Sequence, residues 1–413
     1  MSGEPFIYRL RHAQATVERL SRMFGAVLVA GPRQVGKTTM LRHVTKNMNY
    51  VTLDDHVALS SAREGSITFF KDHPPPVFID EIQKAPELFP QIKMLIDRDR
   101  LKGSFFMCGS QQFHMMKGVS ESLAGRLGLL TLLGYSLREK LNEAFDLPFI
   151  PTDAFFAERE KHLGSITYSE IWDLVQRGSM PELCENPEYD WQLFYSAFVQ
   201  TYVERDVREL SEVGDTLKFI RFMTAAAAAT GQLVNLASLA RDVGISQPTA
   251  DRWLSILLAS NIVYLLKPYF NNITKRAVKT PKLYFLDTGL AAYLTRWNTA
   301  ETLKNGAMAG AFFETFVISE ILKSYFNRGD SDPPLYFYRD RDRNEIDLVI
   351  EKDGCLHPVE IKKHADPKRS DIRAFDSLEK NTGLKRGSGG LICLYDRLLS
   401  LSEYDRVIPL RYI

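Results

Sequence analysis

Ala26-Val-Leu-Val-Ala30-Gly31-Pro32-Arg33-Gln34-Val35-Gly36-Lys37-Thr38-Thr39 opens as a short apolar run of strand character and passes into the pattern G-x-x-x-x-G-K-T. Met40-Leu-Arg-His-Val continues as an amphipathic helix, so the context is strand, glycine loop, helix. In that context backbone N–H groups and a helix N-terminus cradle a polyphosphate. Gly31 and Gly36 let the backbone approach the anion, and Pro32, Arg33, Gln34 and Val35 form the loop between them. Lys37 reaches the β- and γ-phosphates, Thr38 gives its hydroxyl to Mg²⁺, and Thr39 stands behind it. ATP with Mg²⁺ is the ligand this stretch predicts.

Val77-Phe-Ile-Asp80-Glu81 is a hydrophobic strand ending in two carboxylates, the form of a Walker B element. It follows the glycine loop by about 45 residues, which favours a catalytic reading over a merely solvated strand end. Asp80 is expected to hold Mg²⁺ through water, and Glu81 to orient and deprotonate the attacking water.

At 413 residues the chain is too long for one ordinary domain. Apolar residues at 45% and charged residues at 25% are those of a core-forming globular protein. The net charge of +1 excludes a globally basic surface, so any nucleic-acid site is a local patch. Cys108, Cys184, Cys355 and Cys393 are scattered without C-x-x-C spacing, and the His residues have no zinc spacing, which argues against a zinc site or a disulfide framework. No apolar run reaches membrane-spanning length and residues 1–30 lack a signal-peptide pattern, so a soluble cytoplasmic protein without a membrane partner is expected.

Arg9, Arg11, Arg19 and Arg22 sit in a helical lead-in, where a solvated face is the simple reading and contact with a base or a neighbouring subunit the alternative. Tyr50-Val-Thr-Leu-Asp54-Asp55 reads as a strand, and Glu87–Asp97 as a helix of clear 3.6-residue apolar period. Ser104-Phe-Phe-Met-Cys-Gly109-Ser110-Gln111 is a buried strand with a polar tip, where Ser110 or Gln111 would sense a γ-phosphate. Arg126 precedes a further strand, Leu127-Gly-Leu-Leu-Thr-Leu-Leu, and is a candidate to act on a nucleotide in its own subunit or next door. Strands alternating with helices through residue 135 predict an α/β fold with a parallel sheet.

Gly31–Thr39, Phe78-Ile-Asp-Glu-Ile-Gln-Lys-Ala-Pro and Val119-Ser-Glu-Ser-Leu-Ala-Gly-Arg126 together resemble the prokaryotic AAA-type P-loop ATPases that carry a distinctive C-terminal domain. The resemblance covers nearly the whole chain. It implies an ASCE-type ATPase, then a winged helix-turn-helix domain, then a restriction-endonuclease-like α/β module related to PD-(D/E)xK nucleases. Cys108 and Gln111 depart from the Thr-Gly-Ser-Ser form expected at the sensor strand, leaving the sensor between Ser110 and Gln111. The expected divisions are 1–140 for the ATPase core, 141–215 for a helical lid or connector, 216–297 for the winged helix and 298–413 for the nuclease-like module.

Within the lid, Arg177-Gly178-Ser-Met-Pro181 resembles a turn that such ATPases place near the nucleotide, with an ordinary loop as the alternative. Arg205 or Arg208 is a candidate arginine finger across a subunit boundary, against intrahelical pairing with Glu204 and Glu209. Helix, Gly244 turn and a Ser246-capped second helix with Pro248 in its first turn form a helix-turn-helix. Two strands follow, at Ile262–Leu266 and Lys282–Asp287. Lys267, Lys275, Arg276, Lys279 and Lys282, with Tyr269 and Phe270 among them, suggest a basic wing for phosphates or bases, and Arg252 lies on the second helix. DNA is therefore an expected partner.

In the last module Glu314 interrupts the apolar face of a helix, Asp347 lies on one strand, and Glu360-Ile-Lys362 follows thirteen residues later on the next. Period two puts Glu360 and Lys362 on one face. Asp347 and Glu360 read as ligands for Mg²⁺ or Mn²⁺, Lys362 as general base or transition-state cation, and Glu314 as a supporting acid. Two functions fit: an ATP-driven machine that handles or cuts DNA, or a nucleotide-switched scaffold that docks a protein. A finger supplied by a neighbour would make the protein a homo-oligomer, with a ring as one form.

Overall fold

The computed structural model describes residues 8–109, 122–203, 215–270, 279–340, 342 and 344–413. The chain divides into two compact units, residues 1–147 with 325–331 and residues 148–324 with 332–413.

The first unit is built on strands β1 (Ala26–Ala30), β2 (Asn49–Thr52), β3 (Val77–Asp80), β4 (Phe105–Gly109) and β5 (Leu127–Thr131), in the order β2-β3-β4-β1-β5. All four pairings are parallel. A parallel sheet covered on both faces needs strands that are apolar throughout, and every residue of β1, β3 and β4 is buried. Leu28, Ile79, Phe105 and Met107 anchor the core, with Phe89, Ile92 and Ile96 packed on it from the helix Leu88–Asp99. Strand β4 intervenes between β1, which leads into the glycine loop, and β3, which ends in Asp80. All the strands run the same way, so the chemistry-bearing tips gather at one edge of the sheet.

The second unit contains β6 (Gln232–Leu233), β7 (Val263–Pro268), β8 (Lys282–Phe285), β9 (Leu335–Arg339), β10 (Glu345–Lys352), β11 (Cys355–Ile361), β12 (Lys385–Arg386), β13 (Gly389–Cys393), β14 (Leu399–Ser400) and β15 (Asp405–Pro409). They form one sheet in the order β14-β15-β13-β11-β10-β9-β7-β8-β6, with β12 on β11. Helices Thr216–Ala228, Leu236–Val243 and Gln247–Ala259 accompany β6, β7 and β8, which pair antiparallel. Gly244 ends the second of these helices in the left-handed conformation, and the Ser246 hydroxyl caps the third by accepting from the Thr249 N–H.

The expected division at 297/298 does not hold in the backbone. Strand β7 pairs parallel with β9, Lys267 against Tyr336 and Pro268 against Phe337, so one sheet runs across it. Tyr269, read as a stacking residue of the wing, is 2% exposed in the core that holds Tyr338, Ile346 and Val349. The helices from 153 to 201 also belong to this unit rather than to the first. Trp172 meets Phe313 there, and the Gly178–Pro181 turn is held by Asp287, which accepts from both the N–H and the hydroxyl of Ser179.

Candidate functional site

At the carboxyl edge of the first sheet, Gly31 is left-handed with φ +149°, and a Cβ on it would fall 2.0 Å from the Leu132 carbonyl oxygen. Gly36, with φ +86°, turns the loop into the helix Lys37–Val44. The first N–H groups of that helix have no partners within it, so this end of the helix can receive an anion. Lys37 is 8% exposed and its Nζ donates to the Gly31 and Pro32 carbonyls at 2.9 and 2.7 Å, which holds the ammonium over the loop.

Asp80 is the hub of this edge. Its Oδ1 accepts from the Thr38 hydroxyl at 3.1 Å, the Cys108 thiol at 2.7 Å and the Glu81 N–H at 3.1 Å, and its Oδ2 accepts from the Tyr50 hydroxyl at 3.2 Å. Burial and the Asp80 charge push the Cys108 thiol far up, so it is a donor and not a thiolate. The same two causes raise the Tyr50 phenol to about 12. Glu81, left-handed at φ 57°, takes a hydrogen bond from the Gln83 amide. A non-glycine residue in that conformation stores strain, and such strain clusters at functional sites. The Thr38 hydroxyl beside the Asp80 carboxylate is a donor set that fits Mg²⁺ with its waters; bound there, the ion would neutralise the phosphates.

Arg11 departs from the solvated face expected for it. It is 3% exposed, and Nη1 donates to the Val35 carbonyl of the glycine loop at 2.8 Å. Nη2 donates to Leu133 O at 2.8 Å, and Nε meets Glu139 Oε1 at 3.0 Å. Burial alone would raise the Glu139 carboxyl, but Arg11, His12 and the N–H groups of Ser136 and His12 outweigh it and hold it below the usual range. Arg11 therefore props the loop from behind.

Arg126 is also corrected. It directly precedes β5, whose first residue Leu127 pairs with Ala26, so it stands at the amino edge of the sheet while the glycine loop leaves the carboxyl edge. Its guanidinium is bound to Asp97 and to the Ala124 carbonyl. It cannot serve the phosphates of its own chain. Ser110, Gln111, Glu204, Arg205, Arg208, Glu209, Lys275 and Arg276 lie outside the described residues.

In the second unit the structure brings Asp347, Glu360, Lys362 and Glu314 together. Lys362 Nζ lies 2.5 Å from Glu360 Oε1 and 3.6 Å from Asp347 Oδ2, which also accepts the Ile361 N–H at 2.9 Å. Glu360 Oε2 is buried without a hydrogen-bond partner, an orphaned acceptor that fits a cation. Burial first, then Asp347, raises the carboxyls of both Glu360 and Glu314 well above the carboxylate range. Among the described residues no three acidic, His or Cys side chains converge as a metal cage. Asp347 and Glu360 are therefore two carboxylates and not a complete cage, a pair of the kind that a divalent ion keeping its waters can use.

Sequence reading missed two residues of this cluster, Lys282 and Tyr284 on β8. Lys282 is 4% exposed and is no wing contact: its Nζ lies 2.7 Å from Glu345, 3.1 Å from Glu314 and 3.7 Å from Asp347. The Tyr284 hydroxyl donates to Glu314 at 2.5 Å. Of the other predicted cations, Lys279 and Arg252 are exposed, and Lys267 faces Asp332 at 3.6 Å.

Residues 24–141 match the family described as an AAA domain. Residues 168–301 and 309–413 match two domains of unknown function, DUF8612 and DUF4143. Uncharacterized protein Rv2008c of Mycobacterium tuberculosis and uncharacterized protein Mb2031c of Mycobacterium bovis are each 30% identical over 368 residues, which take in 86% of this chain and 74% of theirs. The chain belongs to their family. Its first unit carries an AAA-type ATPase domain. The Walker-type ATPase of Pyrococcus abyssi is similar at 16% identity over 68% of this chain and 94% of that one, with a TM-score of 0.42. At that score the fold rests on the strand order and the loop geometry of this family member itself. No helix of the described residues is long and apolar enough to cross a membrane.

Proposed function

We propose that this AAA-type ATPase couples ATP hydrolysis to the handling of DNA, and that its second unit cuts phosphodiester bonds at Asp347, Glu360 and Lys362. The observation that carries this reading is the pairing of Asp347 and Glu360 around Lys362, with the orphaned Glu360 oxygen beside them. On the ATPase side, Lys37 holds the phosphates, Thr38 and Asp80 hold Mg²⁺, and Glu81 takes a proton from the attacking water. In the second unit the Lys362 ammonium, kept charged by Asp347 and Glu360, positions the attacking water and steadies the charge that develops at phosphorus, and a divalent ion held by Asp347 and Glu360 would supply Lewis-acid stabilisation. The helix-turn-helix with β7 and β8 serves as a winged helix whose exposed Arg252 and Lys279, with Lys275 and Arg276, meet DNA phosphates. Arg126 stands at the sheet edge away from the glycine loop, and a finger from a second copy, with Arg126, Arg205 and Arg208 as the candidates, would make the working form a homo-oligomer.

The test is cleavage of labelled linear, circular and branched DNA with Mg²⁺ or Mn²⁺, with and without ATP, for the wild type beside Asp347→Ala and Lys362→Ala. Cleavage lost in both variants, with ATPase retained, is the expected result. ATP hydrolysis itself should vanish in Lys37→Ala and Glu81→Gln. The second reading, a nucleotide-switched scaffold that docks a protein, draws on the withdrawal of Lys282 and Tyr269 from the wing into the interior. Under it DNA neither stimulates ATPase nor binds in a salt-dependent way.

A further inference from the structure

Lys282 is an unusual member of the carboxylate cluster. A strand lysine is rarely buried unless paired, and this one is paired three times over, with Glu345, Glu314 and Asp347. It arrives on β8, from the part of the chain before residue 298, and the Phe337 ring lies under its ammonium at 5.7 Å. Glu314 is claimed by Lys282 and the Tyr284 hydroxyl together. Glu345 is claimed by Lys282, with Arg339 at 3.7 Å on the rim. What remains to coordinate an ion is Asp347, whose Oδ2 already accepts the Ile361 N–H, and the orphaned Glu360 oxygen.

Charge leads to the same count. With all four carboxyls ionised, the state that a bound divalent cation would favour, Glu314, Glu345, Asp347 and Glu360 face Lys282, Lys362 and Arg339, a balance of four negative and three positive charges, or one net negative charge. One divalent cation and one phosphodiester bring the set to neutrality. A second divalent cation would leave two positive charges in a buried site, which is strongly unfavourable without further anions.

Resting on the reading of Asp347 and Glu360 as a metal pair, we propose that Lys282 is a built-in cation of this site: its ammonium stands among Glu314, Glu345 and Asp347 in place of a second metal ion, and the site takes one divalent ion. Lys282 is a positioning residue in this scheme, since it touches the carboxylates and not the reacting phosphate.

The experiment counts Mn²⁺ bound to the full-length, nucleotide-free protein by the electron paramagnetic resonance of the free ion, so that no catalytic readout enters. The wild type should bind one ion more than Asp347→Ala, Lys282→Met one ion more than the wild type, and Lys282→Arg the same number as the wild type. Any contribution of the ATPase edge is common to all four proteins and cancels. A wild type that exceeds Asp347→Ala by two ions overturns the proposal, and this comparison decides even where Lys282→Met does not fold. A folded Lys282→Met that binds no more than the wild type overturns it as well. A wild type equal to Asp347→Ala refutes the metal reading itself, and the proposal with it.

Discussion

Arg11→Met removes a buried guanidinium that meets Glu139 Oε1 at 3.0 Å and donates to the Val35 and Leu133 carbonyls at 2.8 Å each. The side chains of the pair are 2% and 0% exposed, so water cannot replace the lost partner. Breaking such a pair from one side costs roughly 3–5 kcal/mol. At about 2–4 °C per kcal/mol for a unit of this size, the first unit should melt roughly 6–20 °C lower in calorimetry. Arg11→Met with Glu139→Gln removes the orphaned charge. Glutamine then has one oxygen where the carboxylate accepts the His12 N–H at Oε1 and the Ser136 N–H at Oε2, so about 1 kcal/mol remains lost. The pH dependence has a definite sign. In the wild type the folded Glu139 carboxyl is held below its unfolded value, so its contribution is present above the ordinary carboxylate range and lost as pH falls. Without Arg11, burial raises that carboxyl instead, and the gap between variant and wild type should narrow from pH 7 towards pH 4. The Val35 carbonyl also loses its donor, and nucleotide affinity should fall about 10-fold with the loosened loop. A loss below about 1 kcal/mol, or a double variant as unstable as the single one, would refute the buried-strut argument.

Tyr50→Phe removes one of the four hydrogen bonds on Asp80 and should raise the Mg²⁺ concentration for half-maximal ATPase by about 3- to 10-fold, with little change in turnover at saturating Mg²⁺. Cys108→Ala should act in the same direction and Cys108→Ser should restore the wild-type value, since the hydroxyl keeps the donor. Arg126→Ala should leave turnover by an isolated chain within about 2-fold of the wild type, and a collapse at that dilution would contradict its place at the amino edge of the sheet.

The elements that carry their own periodicity were legible from the residues. The glycine loop, the strand ending in Asp80 and the two helices on either side of Gly244 each announce themselves by local spacing, and the structure has these elements where that spacing predicts. What escaped is what burial decides. In sequence Lys282 is one more cation in a run without acids; folded, it meets three carboxylates, two of them on β10 more than 60 residues further along the chain. Arg11 looks like any arginine in a lead-in segment until its donors are counted against Val35, Leu133 and Glu139. Cys108 departs from the expected sensor sequence, but only the parallel register of β4 with β3 brings its thiol onto Asp80. Tyr269 sat among cations in sequence, yet its ring fills a core assembled from β9, β10 and elements beyond them. Long-range pairing leaves no signal at short range.

The sheet that crosses residue 298 leads to a last prediction about fragments. A fragment of 298–413 keeps Asp347, Glu360 and Lys362 but lacks β7, so β9 becomes an open edge carrying Leu335, Phe337 and Tyr338, all buried in the full chain. Such an edge invites association with other chains. The fragment also loses Tyr269, whose ring is worth roughly 3–5 kcal/mol when removed from a core, and Lys282, without which Glu314 and Asp347 lack a buried counter-charge. These losses are comparable to the whole stability of a small domain. The fragment 148–413 retains all of these partners. It should melt cooperatively and remain monodisperse in size-exclusion chromatography, while 298–413 aggregates or shows no cooperative transition. If 298–413 folded as a stable monomer with a cooperative transition, β7 and Lys282 would be additions to a finished module. If it does not, the carboxylate site belongs to the whole second unit, and β7 and β8 are part of its wall.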